Sequence, residues 1–131
     1  MRDYRGKCKA TGEWLFGFLV DERHIGNWVE ASPVYPETVG QYSGIFTKDE
    51  VEDGDTLCTF IYEGDIVEPV LLGGTHYGFS WGRQVVVFDR GAFCLKNRRG
   101  EITPMCNYAA NVKFKVWGNI HDNPVPWEVD A

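Results

Sequence analysis

Residues 78–82 read "GFSWG", a Gly-x-Ser-x-Gly stretch of the kind that lifts a nucleophilic serine onto a sharp turn. Asp89 and His121 follow Ser80 in the order of a Ser, Asp, His hydrolase. That chemistry is acyl transfer, and it needs a strand, a strained turn and then a helix. Here Ser80 is followed by "RQVVVFD", whose β-branched run reads as a strand. A chain of 131 residues is also short for a hydrolase sheet covered by helices on both faces. Residues 50–69, "EVEDGDTLCTFIYEGDIVEP", offer a second candidate, with seven carboxylates and no Lys or Arg. Aligning Gly54 with the sixth-place glycine of a calcium loop puts Asp49 and Asp53 at ligand places. Val51 and Phe60 then fall at the third and twelfth places, where oxygen ligands are required. Acid-base catalysis would need a dry pocket that splits the carboxylate pKa values, whereas a loop this rich in acids is solvated.

Turn chemistry accounts for the acidic stretch. Gly64 can take the left-handed conformation, and the Asp65 side chain can accept backbone N–H groups as the chain re-enters a strand. His24, His76 and His121 lie far apart without ligand spacing, and "RGKC" carries Gly-Lys without the remaining residues of a phosphate loop. No catalytic, cofactor-binding or metal-binding residue is assigned, and no cofactor is expected.

The elements that would position such side chains are strands. Apolar or alternating runs of four to eight residues recur between Gly, Asn, Asp and Pro. "NVKFKVWG" sets Val112, Phe114 and Val116 on one face and Lys113 and Lys115 on the other, because side chains alternate across a strand. "EWLFGFLV" is apolar on both faces and is placed centrally. Further strands are expected at 27–31, 56–62, 65–71, 84–89 and 92–97, the last two joined by a tight Arg90-Gly91 turn. "TPMCNYAAN" reads as a short helix with Thr103 as N-cap and Pro104 at its first position. Residues 46–55 read as an exposed acidic loop. Many short strands with frequent turns predict a mainly β fold, a small antiparallel barrel or roll with extra hairpins and at most one or two short helices.

Length predicts a single domain over residues 1–131, burying about 65–70% of the surface of its unfolded chain. Hydrophobic residues make up 44% and aromatics 15%, enough for a core. No run approaches the ~20 apolar residues of a membrane span, and the opening "MRDYRGKCKATGEW" lacks an apolar signal core, so a soluble protein retained in its cell is expected. Cys8, Cys58, Cys94 and Cys106 form no Cys-x-x-Cys pair and are expected as buried free thiols. A net charge of -6 repels nucleic acid on average. Two local clusters, Arg2, Arg5, Lys7 and Lys9, then Lys96, Arg98 and Arg99, keep a basic patch in view. Trp14 and Trp117 sit on core-like strands, which leaves Trp28, Trp81 and Trp127 as candidates for exposed stacking.

Three separated stretches, "YRGKCKATGEWLFGFLV", "YPETVGQYSGI" followed by "IYEGDIV", and "VWGNIHDNP", together resemble the YopX family of bacteriophage and prophage proteins. The connector "FTKDEVEDGDTLCTF" looks longer than the family's usual link, and the tail "VPWEVDA" replaces its acidic-leucine ending. The resemblance implies a small SH3-like β-barrel and a phage or prophage gene product acting in a bacterial host cytoplasm. It brings no functional residues with it. The expected role is therefore a non-catalytic accessory module that contacts another protein or a second copy of itself. Its candidate surface is Glu37, Thr38, Gln41, Tyr42, Trp28 and Trp81. The alternative is a nucleic-acid-binding regulator using the basic clusters, and a serine hydrolase stands as the remote third.

Overall fold

The structure is a computed structural model that describes residues 3–26, 31–50, 54, 56–72, 79–108 and 110–123. Its contacts gather into two units, Met1–Ser43 and Gly44–Ala131. The described strands form two antiparallel sheets, and neither closes into a barrel. The expected barrel is thus corrected to open sheets. A terminal strand of each contains a proline, Pro33 in one and Pro104 in the other, a residue suited to a sheet edge because it has no N–H to donate.

In the first unit, strands β1 (Tyr4–Lys7), β2 (Trp14–Asp21), β3 (His24–Gly26) and β4 (Ala31–Pro33) run in the order β4-β3-β2-β1. The opening residues of β5 (Gly40–Glu50) pair with β1 through Gln41 and Gly40. Ile25 and Val34 are fully buried, and Gly6 fits against them because a Cβ there would already stand 3.1 Å from each side chain. Gly17 is required for a closer reason: a Cβ would collide with the carbonyl oxygen of Gly26 on the neighbouring strand. β2 is interior in the strand order, as expected, but it is not buried on both faces. Phe16 is 47% and Val20 57% exposed. Among the expected strands, residues 27–30, with Trp28, lie outside the described residues, and β4 begins at Ala31.

The second unit takes up β5 at Gly44 and adds β6 (Thr56–Tyr62), β7 (Asp65–Leu71), β8 (Gln84–Asp89), β9 (Ala92–Lys96), β10 (Ile102–Pro104) and β11 (Val112–Asn119). β6 neighbours β5, and the other five form a sheet in the order β10-β9-β8-β7-β11. One buried cluster holds the unit: Ile61, Val67, Val86, Leu95, Met105 and Phe114, with Val112 and Val116 packed against it. The alternation of β11 therefore points where its sequence says. Residues 46–50, expected as loop, instead extend β5 to Glu50. The expected helix is absent: Thr103 and Pro104 belong to β10, and only a single 3₁₀ turn, Met105–Asn107, follows without a side-chain cap. Of the four thiols, Cys8 and Cys94 are buried, while Cys58 and Cys106 are exposed, which corrects half of that expectation.

Candidate functional site

The hydrolase constellation is not assembled. The Ser80 hydroxyl donates to Glu68 Oε2 at 2.6 Å and accepts the Gly82 N–H at 2.9 Å, so it builds a turn. Asp89 faces Arg90 at 3.9 Å, and the His121 ring packs beside Gly64. His24 Nδ1 meets Asp21 Oδ1 at 2.8 Å in an exposed turn, and this bond, with that from the Arg23 N–H, holds the Asp21 carboxyl below its usual range. His76 lies outside the described residues. Among the described residues no group of three or more His, Cys, Asp or Glu could hold a metal ion.

The expected interaction surface divides. Thr38 is 6% exposed, and its hydroxyl accepts the Lys7 N–H at 2.9 Å while donating to the Tyr35 carbonyl at 2.6 Å. It is a framework residue. Glu37 and Gln41 are exposed, and Tyr42 is half-buried, which pushes its phenol pKa up. In the N-terminal basic cluster, Arg5 is buried and stacks over Trp14 at 4.6 Å, with Lys7 over the same ring at 5.5 Å. Trp81 is different: 41% exposed, it lines a groove in the second unit.

That groove, about 720 Å³, is walled by Glu68, Trp81, Arg83, Arg98, Arg99 and Trp117. Strand alternation delivers its floor. Val67, Phe114 and Val116 join the core, so Glu68, Lys115 and Trp117 fall on the opposite face of β7 and β11. A register shift between Val116 and Gly118 makes Trp117 the extra residue of a β-bulge, a feature that re-aims a side chain. Its indole N–H donates to Glu68 Oε1 at 2.8 Å. Arg83 lies over the ring at 4.0 Å and Lys115 at 4.3 Å. Both oxygens of Glu68 are thus engaged. The Ser80 bond first, then the Trp117 bond and the charges of Lys115 and Arg83, hold its pKa below the usual glutamate range against the opposing effect of burial.

Two further walls come from short segments. Ser80 bridges Val70, the Leu71 N–H donates to Phe79 and the Trp81 N–H to Pro69, so residues 79–81 run along β7 and present Trp81. Arg98 and Arg99 ride on the β9–β10 turn, where Asn97 Oδ1 accepts the N–H groups of Arg99 and Glu101, both at 3.0 Å. The groove therefore unites Trp81 with Arg98 and Arg99, which the sequence had suggested separately. It adds Glu68, Arg83 and Trp117, which the sequence did not suggest as a group. The signal was present in β11, a strand read as core-like, whose alternation puts Trp117 on the outward face with Lys115.

Two of the motifs that mark the chain, "IYEGDIV" and "VWGNIHDNP", meet in the second unit. In "YEGDIV", Gly64 turns at φ +91° and Asp65 Oδ2 accepts the Tyr62 N–H at 2.8 Å, the turn role expected of both. In "GNIHDN", Asn119 Oδ1 accepts the N–H groups of His121 and Asp122, each at 3.0 Å, and its Nδ2 donates to Asp122 at 2.9 Å. The two motifs are joined by the Ile120 N–H bonding to the Gly64 carbonyl and by the pairing of Asn119 with Asp65. They are architecture, a corner of the β7–β11 pair. No curated protein and no solved structure matches the chain. The family model described as YopX protein matches residues 15–126, most of the chain, and the chain belongs to the YopX family.

Proposed function

We propose that the chain is a non-catalytic binding module, a phage or prophage accessory protein of the bacterial host cytoplasm, whose working surface is the groove between Trp81 and Trp117 and whose partner is a polyanion. The phage setting and the cytoplasm are supported by the family resemblance. Among the described residues no helix is long and apolar enough to cross a membrane. One observation carries the binding reading: three arginines, Arg83, Arg98 and Arg99, are gathered with two tryptophans around one concavity of a chain whose net charge is -6. Cations concentrated against the sign of the whole molecule favour a localised anionic partner. The engagement of Ser80 with Glu68 and Gly82 supports the absence of serine chemistry. The corner at Glu37–Tyr42 is the weaker surface, because Thr38 is committed to the backbone on both sides.

The test is retention on immobilised heparin at low ionic strength. The wild-type chain is expected to bind despite its acidic composition, and Arg98→Ala/Arg99→Ala to elute at lower salt. Flow-through of the wild-type chain would refute the assignment. A fluorophosphonate serine probe is expected to leave Ser80 unlabelled.

A further inference from the structure

We infer that the polyanion taken by this groove is single-stranded nucleic acid, with phosphates on Arg98, Arg99 and Arg83 and a base against Trp81; the inference rests on the binding reading above. Its ground is the position of Trp81. The indole is a wall common to two hollows, the basic groove of about 720 Å³ and a second of about 430 Å³. The second is lined by Leu71, Thr103, Asn107, Tyr108 and Val112, with no charged side chain among the described residues. A cationic trough, an aromatic plane and a neutral hollow with hydroxyl and amide groups repeat the order of a nucleotide: phosphate, base face, base edge.

The aromatic plane is held in place. Phe79, 50% exposed, meets Trp81 edge-on with centroids 4.9 Å apart, and Trp81 meets Tyr108 edge-on at 5.5 Å. Tyr108 continues to the core residue Phe114 at 5.5 Å, so a chain of edge contacts leads from the surface to the interior. The Gln84 side chain reaches the Trp81 carbonyl at 3.5 Å and the Tyr108 hydroxyl at 3.4 Å. Rigid aromatics beside a basic trough are what stacking on unpaired bases requires. Oligoglutamate would use the arginines but has no flat group for the neutral hollow. A duplex keeps its base faces stacked inside and has none to offer Trp81.

The experiment is filter binding of oligothymidine of about 16 nucleotides, the upper site size for one small β fold, across a range of salt, beside a duplex and an oligoglutamate of similar charge. Oligothymidine is expected to bind tightest. Arg98→Ala/Arg99→Ala sits in an exposed turn and should flatten the slope of log affinity against log salt by about 1.4, two contacts at roughly 0.7 each. Trp81→Ala should weaken binding roughly tenfold or more at unchanged slope, and Trp81→Tyr should restore most of it, which a lost fold would not do. Heparin retention without oligothymidine binding would overturn this inference and leave the binding reading standing. Equal or tighter binding of duplex or oligoglutamate, or indifference to Trp81→Ala, would also overturn it. Failure on heparin as well would remove both.

Discussion

Glu68 shows how a single carboxylate can sit among cations and still serve as framework. Its two oxygens hold Ser80 and Trp117, and these bonds depress its pKa. A carboxyl whose folded value lies below its unfolded value contributes stability that is present above the unfolded value, about 4.3, and is lost as pH falls through the folded one. Glu68→Gln is therefore expected to lower the urea midpoint by a constant amount above about pH 5, with the gap to wild type narrowing below about pH 4.3. Urea titrations at several pH values check this, and a gap that ignores pH would contradict it. At this scale the sequence was legible where one residue acts on its immediate neighbours. Asp65 could be assigned its N–H bond from "EGD" alone, since the partner is three residues away. Glu68 could not, because Trp117 lies 49 positions further on.

Elements follow the same division. The limits of β6, β7 and β8 agree with their apolar runs, and β9 to within one residue, because punctuation by Gly and Asp coincides with a change of burial. β1 was hidden in a basic segment, since Arg5 is buried against an aromatic ring rather than solvated. β5 was hidden because its polar, acidic end reads as loop while pairing beside β6 supplies the order. The hairpin between β8 and β9 was legible from Arg90-Gly91, and both residues take positive φ, +51° and +82°. The type I′ turn demands this at both central positions, where Asn is far better suited than Arg. The Arg90 pair with Asp89, 3.9 Å apart and solvent-exposed on the arginine side, offsets little. Arg90→Asn is expected to stabilise the chain by up to about 1 kcal/mol in denaturant unfolding. Gly91→Ala should destabilise it by about the same amount or more. A neutral or destabilising Arg90→Asn would show that the turn is set by something other than backbone preference.

For the whole molecule, the cluster of Ile61, Val67, Val86, Leu95, Met105 and Phe114 is drawn entirely from the second unit. Residues 44–131 expressed alone are therefore expected to fold, with a β-type circular dichroism spectrum and a cooperative thermal transition. A coil spectrum would show that this core is insufficient by itself. Composition indicated a core and predicted strands, but it could not indicate that cations distant in sequence would converge on one face. Arg83, Arg98 and Lys115 stand on three different segments, and the sheet order brings those segments together, while the bulge in β11 turns Trp117 to meet Arg83 and Lys115. Trp117, with an anion on its nitrogen and two cations on its ring, has a further consequence. Indole emission responds to the charges around it, and a guest that drew Arg83 away would alter both its colour and its intensity. Were the proposed partner to bind there, part of the summed emission of the five tryptophans would report it with no dye attached.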